Sequence, residues 1–135
     1  MFLGNLTDVE KKFFVCLAIG AANANSEIAA EESAHINAYC VEMGIDIADV
    51  LSMGNKSLDE IVDVFRRSED AHKKIIVFEM IAFMFVDGSF DNYEKDYVYD
   101  FVEKIGFSKE VTDEIIAKVE NYVACVSDIS GYIFG

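Results

Sequence analysis

Two segments of the chain repeat each other at an offset of 62 residues, and this repeat constrains the fold more than any other feature. The units run from about residue 10 to 45 and from about 72 to 107, and they align without a gap. Identity is modest, but similar residues coincide: Val15 with Val77, Ile19 with Ile81, Glu32 with Glu94, and Gly44 with Gly106. This pattern predicts a duplicated unit. The alternative is two helical hairpins that share only generic signals for starting and ending a helix.

Each unit is predicted to form two helices joined by a short loop. Apolar residues recur with a period near 3.6, which is typical of amphipathic helices. Several helix starts carry a capping box, in which Ser, Thr or Asp is followed three residues later by Glu. These pairs are Thr7 with Glu10, Ser57 with Glu60, and Asp91 with Glu94. Gly44 and Gly106 are placed to end the second helix of each unit.

The rest of the chain is also predicted to be helical. Two shorter helices are expected over about residues 47–52 and 57–67, and a longer one from Ser108 to about Ala124. The chain has no proline, which favours helices. The predicted fold class is all-α, with about seven helices and pseudo-two-fold helix-loop-helix units in a single domain over residues 1–135. The aromatic tail, Ser127 to Gly135, is expected to fold back onto the core, and the alternative is that its aromatic residues await a partner.

The charge balance excludes some classes of partner. Eleven Lys and Arg against 25 Asp and Glu give a net charge of −14, which argues against nucleic-acid phosphates and anionic lipid. The N-terminal residues lack the basic region of a signal peptide, and no apolar stretch approaches the roughly 20 residues of a spanning helix. Three widely spaced cysteines are expected to be reduced core residues. We therefore expect a cytoplasmic protein without direct membrane insertion.

The segment between the paired helices of the second unit carries the sharpest motif. Asp87, Asp91 and Glu94 place three carboxylates within eight residues, with Gly88 permitting a turn. Carboxylate oxygens suit hard cations, so the predicted ligand is calcium or magnesium, with manganese a weaker fit. The alternative is ordinary capping, in which Asp91 and Glu94 only stabilise the helix start.

The matching loop of the first unit is less acidic, because Asn25 and Ala29 stand where the second unit has Asp87 and Asp91. Glu27, Glu31 and Glu32 remain as candidate metal ligands. If the units pack with two-fold symmetry, the two loops approach each other and the carboxylates concentrate in one place.

Other chemistry is poorly supported. A calcium-binding EF-hand loop counted from Asp87 fails, because its sixth position is Asn92 rather than Gly and its twelfth is Val98 rather than Glu. The Glu-x-x-His pairs of carboxylate-bridged hydrolases are missing, and so are a nucleophile elbow and a phosphate-binding loop.

His35 and His72 are expected at surface or helix-end positions. Glu79, inside an apolar helix expected to be central, is assigned to a solvent-facing stripe in preference to a buried, partnered position.

The motif in the second unit resembles the tellurite-resistance TerB-like family. The resemblance rests on Asp87-Gly88 after a helix, on Phe90 and Glu94, and on a second helix that closes at Gly106. It implies a seven-helix, pseudo-two-fold domain with an acidic cluster suspected of binding divalent cations. It further implies a non-enzymatic role in stress or tellurite response, or an adaptor role near membrane partners. The family's acidic positions correspond to Asp87, Asp91 and Glu94, and more weakly to the acids of the first loop.

Two function hypotheses follow. The first is a non-enzymatic acidic helical module that binds a divalent cation, a protein partner, or both. The second is a metal-free protein-interaction or adaptor domain, in which the loop acids only cap helices. They differ in whether cations stabilise the fold.

Overall fold

A computed structural model describes residues 1–23, 30–85 and 90–135, with side chains omitted for 21–23 and 30–33. In these ranges the chain forms a short 3-10 turn, Leu3–Asn5, and seven α-helices, with no strand. The helices are α1 (Asp8–Asn23), α2 (Ala30–Met43), α3 (Ile47–Leu51), α4 (Leu58–Arg66), α5 (Asp70–Met84), α6 (Asn92–Ile105) and α7 (Lys109–Phe134). The predicted all-α class is confirmed.

The helix starts keep the 62-residue offset. It separates α1 from α5, α2 from α6, and α3 from α7, since these pairs begin at residues 8 and 70, 30 and 92, and 47 and 109. Gly44 and Gly106 both have positive φ, 69° and 104°, a conformation that glycine adopts at low cost after a helix. The offset therefore continues into a third pair of helices, beyond the expected unit ends at 45 and 107.

Side chains at the predicted caps form the expected hydrogen bonds. Oγ of Ser57 accepts from the backbone N–H of Glu60, whose carboxylate accepts in return from the N–H of Ser57. Thr7 with Glu10 and Asp91 with Glu94 make the same reciprocal pair. Each box satisfies donors that a helix start leaves unpaired. The chain thus fixes these helix starts locally.

The core is built around α5. Its side chains Ile76, Val77, Met80, Ile81 and Phe83 are 0–1% exposed, and the helix contacts α1, α6, α7 and the N-terminal turn. Buried residues from all seven helices join one hydrophobic cluster. This arrangement explains why α5 is apolar nearly all round, since it has neighbours on most of its sides.

The last helix differs from its expected course. It continues past Ala124 to Phe134, and every residue from Glu120 onward is exposed, so the expected fold-back of the tail is wrong. Cys125, expected in the core, is exposed as well. No proline interrupts this segment, and Gly131 lacks the positive φ that ends a helix, so the hydrogen-bond ladder runs on.

Candidate functional site

The predicted metal ligands fall into two groups. Asp87 and Glu27 lie outside the described residues, and Glu31 and Glu32 belong to α2 but their side chains lie outside the description. Whether the two loops meet therefore stays a prediction. Within residues 1–23, 30–85 and 90–135, no three His, Cys, Asp or Glu side chains group in a way that could hold a metal ion.

Asp91 and Glu94 are the two predicted ligands whose side chains are described, and each caps α6. Oδ1 of Asp91 accepts from the backbone N–H of Glu94 at 2.8 Å. Oε1 of Glu94 accepts from the N–H of Asp91 at 3.3 Å, and Glu94 is only 3% exposed. These bonds orient both carboxylates toward the start of α6, which favours the capping alternative for this pair.

A second polar cluster, not anticipated from the sequence, joins the starts of α1 and α5. Oε1 of Glu10 lies 2.8 Å from Nδ1 of His72, and Nε2 of His72 lies 3.2 Å from Glu69. Burial opposes ionisation of Glu10, but hydrogen bonds from the Ser68 side chain, the Thr7 backbone and His72 outweigh it and lower the pKa of Glu10. The cluster holds two helix ends together and leaves His72 at a helix end, as predicted.

One sequence signal could have pointed to this contact. Glu10 and His72 are 62 residues apart, so they occupy equivalent positions in the two units. Equivalent residues of a two-fold arrangement meet only close to its axis. A polar pair at matching positions was therefore a candidate contact.

Glu79 is buried, so its assignment to a solvent-facing stripe is wrong. Its side chain is covered by the first residues of the chain, and Oε2 lies 2.9 Å from the amino group of Met1, which also pairs with Glu42. Burial raises the pKa of Glu79, and the nearby amino group offsets part of this effect. Helical periodicity cannot show that the N-terminal turn packs over this side of α5.

An apolar groove lies between the N-terminal segment, α5 and the first half of α7. Its volume is about 370 Å³, and its apolar lining consists of Phe2, Ile75, Phe78, Val111 and Ile115. Three exposed charged side chains, Lys74, Glu114 and Lys118, complete the lining. The groove therefore has an apolar floor with two lysines and one glutamate beside it.

The groove leads directly to the exposed part of α7, which we call the distal half and define as Glu120–Phe134. The rings of Phe78 in the groove and Tyr122 in the distal half pack edge to face, with centroids 6.4 Å apart. Seven large apolar side chains of the distal half are exposed, from 37% to 91%: Tyr122, Val123, Val126, Ile129, Tyr132, Ile133 and Phe134. Its charged residues are Glu120 and Asp128.

The apolar residues of α7 follow a heptad spacing. Ile115, Val119, Tyr122, Val126, Ile129 and Ile133 alternate between steps of four and three residues. This spacing is typical of a helix that packs along its length against another helix. The first two of these residues are buried against the core, whereas the last four are exposed. The stripe thus begins inside the fold and continues beyond it without a covering element in the described residues.

Comparison of the chain with family models, with curated proteins and with solved structures found no match. The TerB-like assignment therefore stays a prediction based on the motif around Asp87. None of the helices in the described ranges combines the length and apolar character needed to cross a membrane.

Proposed function

We propose that this protein is a non-enzymatic helical interaction module whose folded body presents the distal half of α7 to a protein partner. The observation that carries the proposal is the exposed heptad stripe of α7, in which Ile129 is 51% exposed and Ile133 is 62% exposed. Contiguous apolar surface of this kind marks interaction sites in folded proteins. The proposal corresponds to the adaptor hypothesis drawn from the sequence.

The polar contacts support a structural use of these acids. Glu10 accepts hydrogen bonds at the junction of α1 and α5, Glu79 pairs with the amino group of Met1, and Asp91 and Glu94 cap α6. Glu10 and Glu79 each join two segments of the chain, whereas Asp91 and Glu94 stabilise a single helix start. Such groups stabilise a fold, and none of these pairs lines the apolar groove.

A cation at the acidic loops remains the competing prediction, together with the stress or tellurite role that the family resemblance implies. It depends on Asp87 and on the loop of the first unit, whereas the capping bonds of Asp91 and Glu94 favour the metal-free alternative. The two proposals are separable, because a cation site changes stability with added metal and the interaction surface does not.

Site-specific photo-crosslinking in cells that make the protein tests the interaction surface. A photoreactive phenylalanine analogue replaces Tyr132 in the distal half, and a matched variant carries it at Tyr93 of α6, which is 59% exposed. We expect discrete protein adducts from position 132 and none from position 93. An absence of adducts from position 132, or equal labelling from both, would contradict the proposed function.

A further inference from the structure

We propose that the apolar groove of one copy receives the distal half of α7 from a second copy, in an antiparallel two-fold dimer. The inference rests on the proposed function and names its partner. The first observation is that groove and stripe lie on the same side of α7. At 3.6 residues per turn, the groove residues Val111, Ile115 and Lys118 and the exposed Tyr122, Val126, Ile129 and Ile133 fall in a sector about 80° wide.

The two surfaces also match in length. The segment from Tyr122 to Phe134 is about 18 Å long, and the part of α7 that flanks the groove, from Val111 to Tyr122, is about 17 Å long, at 1.5 Å per residue. With a two-fold axis at Tyr122, a residue that follows Tyr122 by a given number of positions lies opposite the residue that precedes Tyr122 by the same number in the other copy. Ile129 then meets Ile115 of the other copy, and Ile133 meets Val111. Each groove covers one distal half, as an isologous interface requires.

The charges beside the groove are mostly positive. The chain carries a net charge of −14, yet two of the three charged side chains that line the groove are Lys74 and Lys118, and the third, Glu114, falls opposite the uncharged Ser130 in this register. Between Asn121 and Phe134 the distal half has one charged residue, Asp128. In the antiparallel arrangement Asp128 lies two residue positions along the axis from Lys118 of the other copy, because the two residues are six positions after and four before Tyr122. Asp128 lies about 80° further around α7 than Lys118, outside the sector and on the same flank of the pair, so the long Lys118 side chain can extend toward it. Opposite charges on this flank favour the antiparallel pairing.

The exposed apolar area is of the order that a small specific dimer buries. Tyr122 and Tyr132 lie on or beside the stripe and are 43% and 91% exposed. At about 200 Å² for each ring side chain, they offer about 270 Å² per copy. Val126, Ile129 and Ile133, which are 48–62% exposed, and the groove add to this, and each copy has to bury about 600 Å² for the pair to reach the lower end of the range of about 1,200–2,000 Å² found in specific interfaces.

Sedimentation of the purified full chain over a concentration series tests the dimer. We expect a reversible dimer for the wild type and at least about a 10-fold weaker association for Ile129→Asp, because the introduced carboxylate would be buried against Ile115. The matched control is Ala124→Asp, which adds the same charge on the opposite face of α7 and should dimerise like the wild type. Circular dichroism confirms that each variant is folded. A monomeric wild type, or equal association of both variants, would overturn the proposal.

Two further variants test the arrangement of the dimer. Val111→Asp lies in the groove and outside the distal half, so it should weaken association as much as Ile129→Asp. A dimer that tolerates Val111→Asp and not Ile129→Asp would show that distal halves pair without the groove, and it would refute the proposal. Lys118→Asp should weaken the dimer, and adding Asp128→Lys should restore it. A double variant that stays monomeric would refute the antiparallel register.

The outcomes separate this inference from the proposed function. A monomer in sedimentation whose position 132 crosslinks to a different protein in cells would overturn the dimer and keep the interaction module. A monomer that co-sediments with phosphatidylcholine vesicles would overturn the dimer in favour of a lipid surface. Adducts with twice the mass of the chain would support the dimer.

Discussion

Replacement of Asp91 separates helix capping from cation binding at the start of α6. Asp91→Ala removes the acceptor for the N–H of Glu94, whereas Asp91→Asn keeps a good N-cap acceptor and removes the charge. Loss of an N-cap typically costs about 1 kcal/mol. For a domain of this length that loss lowers Tm by about 3–5 °C. Asp91→Asn should lose well under half of this, mainly through the interaction of the charge with the helix dipole.

The assay is thermal unfolding followed by circular dichroism, with chelator or with calcium, magnesium or manganese added. Ser57→Ala is the matched control, because Ser57 caps α4 with the same reciprocal bonds and lies away from the acidic loops. We expect Asp91→Ala and Ser57→Ala to lose similar stability with or without cations. The reasoning is refuted if cations stabilise the wild type and Asp91→Asn abolishes that effect, or if Asp91→Ala unfolds at the wild-type temperature.

Three other predictions use the same unfolding assay. Asp87→Asn should melt like the wild type with every cation if the metal-free alternative holds, and a cation-dependent rise in Tm that the variant lacks would establish the cation site. Because the pKa of Glu10 is lowered from its ordinary value of 4.5, ionised Glu10 contributes fully to folding stability above that pH, and this contribution is lost as the pH falls further. Glu10→Gln should therefore make Tm fall less steeply at acidic pH, and an unchanged dependence of Tm on acidic pH would contradict the role given to Glu10. Gly106→Ala should cost about 1–2 kcal/mol, because φ is 104° there, and a neutral effect would argue against that backbone conformation.

The local parts of the fold were predictable from the sequence. Capping boxes at Thr7, Ser57 and Asp91 are set by residues three apart, so their hydrogen bonds follow from short-range chemistry. Gly44 and Gly106 end helices for an equally local reason. The 62-residue repeat also gave the correct relation between helix starts, because the two units keep the same spacing between their helices.

Tertiary features were not predictable in the same way. Glu79 is buried because the N-terminal turn covers it, and periodicity within α5 carries no information about that turn. The course of α7 was misjudged because its apolar end was expected to need cover from its own core. The heptad spacing through Tyr122, Val126 and Ile129 contained the relevant signal, since it predicts one uninterrupted helix with a partner alongside.

The most direct test of the account is hydrogen exchange along α7 at high and low protein concentration. The distal half is about as long as the isolated helices that are marginal in water, so its amides need a partner to be protected. We predict slow exchange over residues 120–134 at high concentration and fast exchange after dilution, with the buried amides of α5 unchanged. Exchange over 120–134 that is the same at both concentrations would contradict the account.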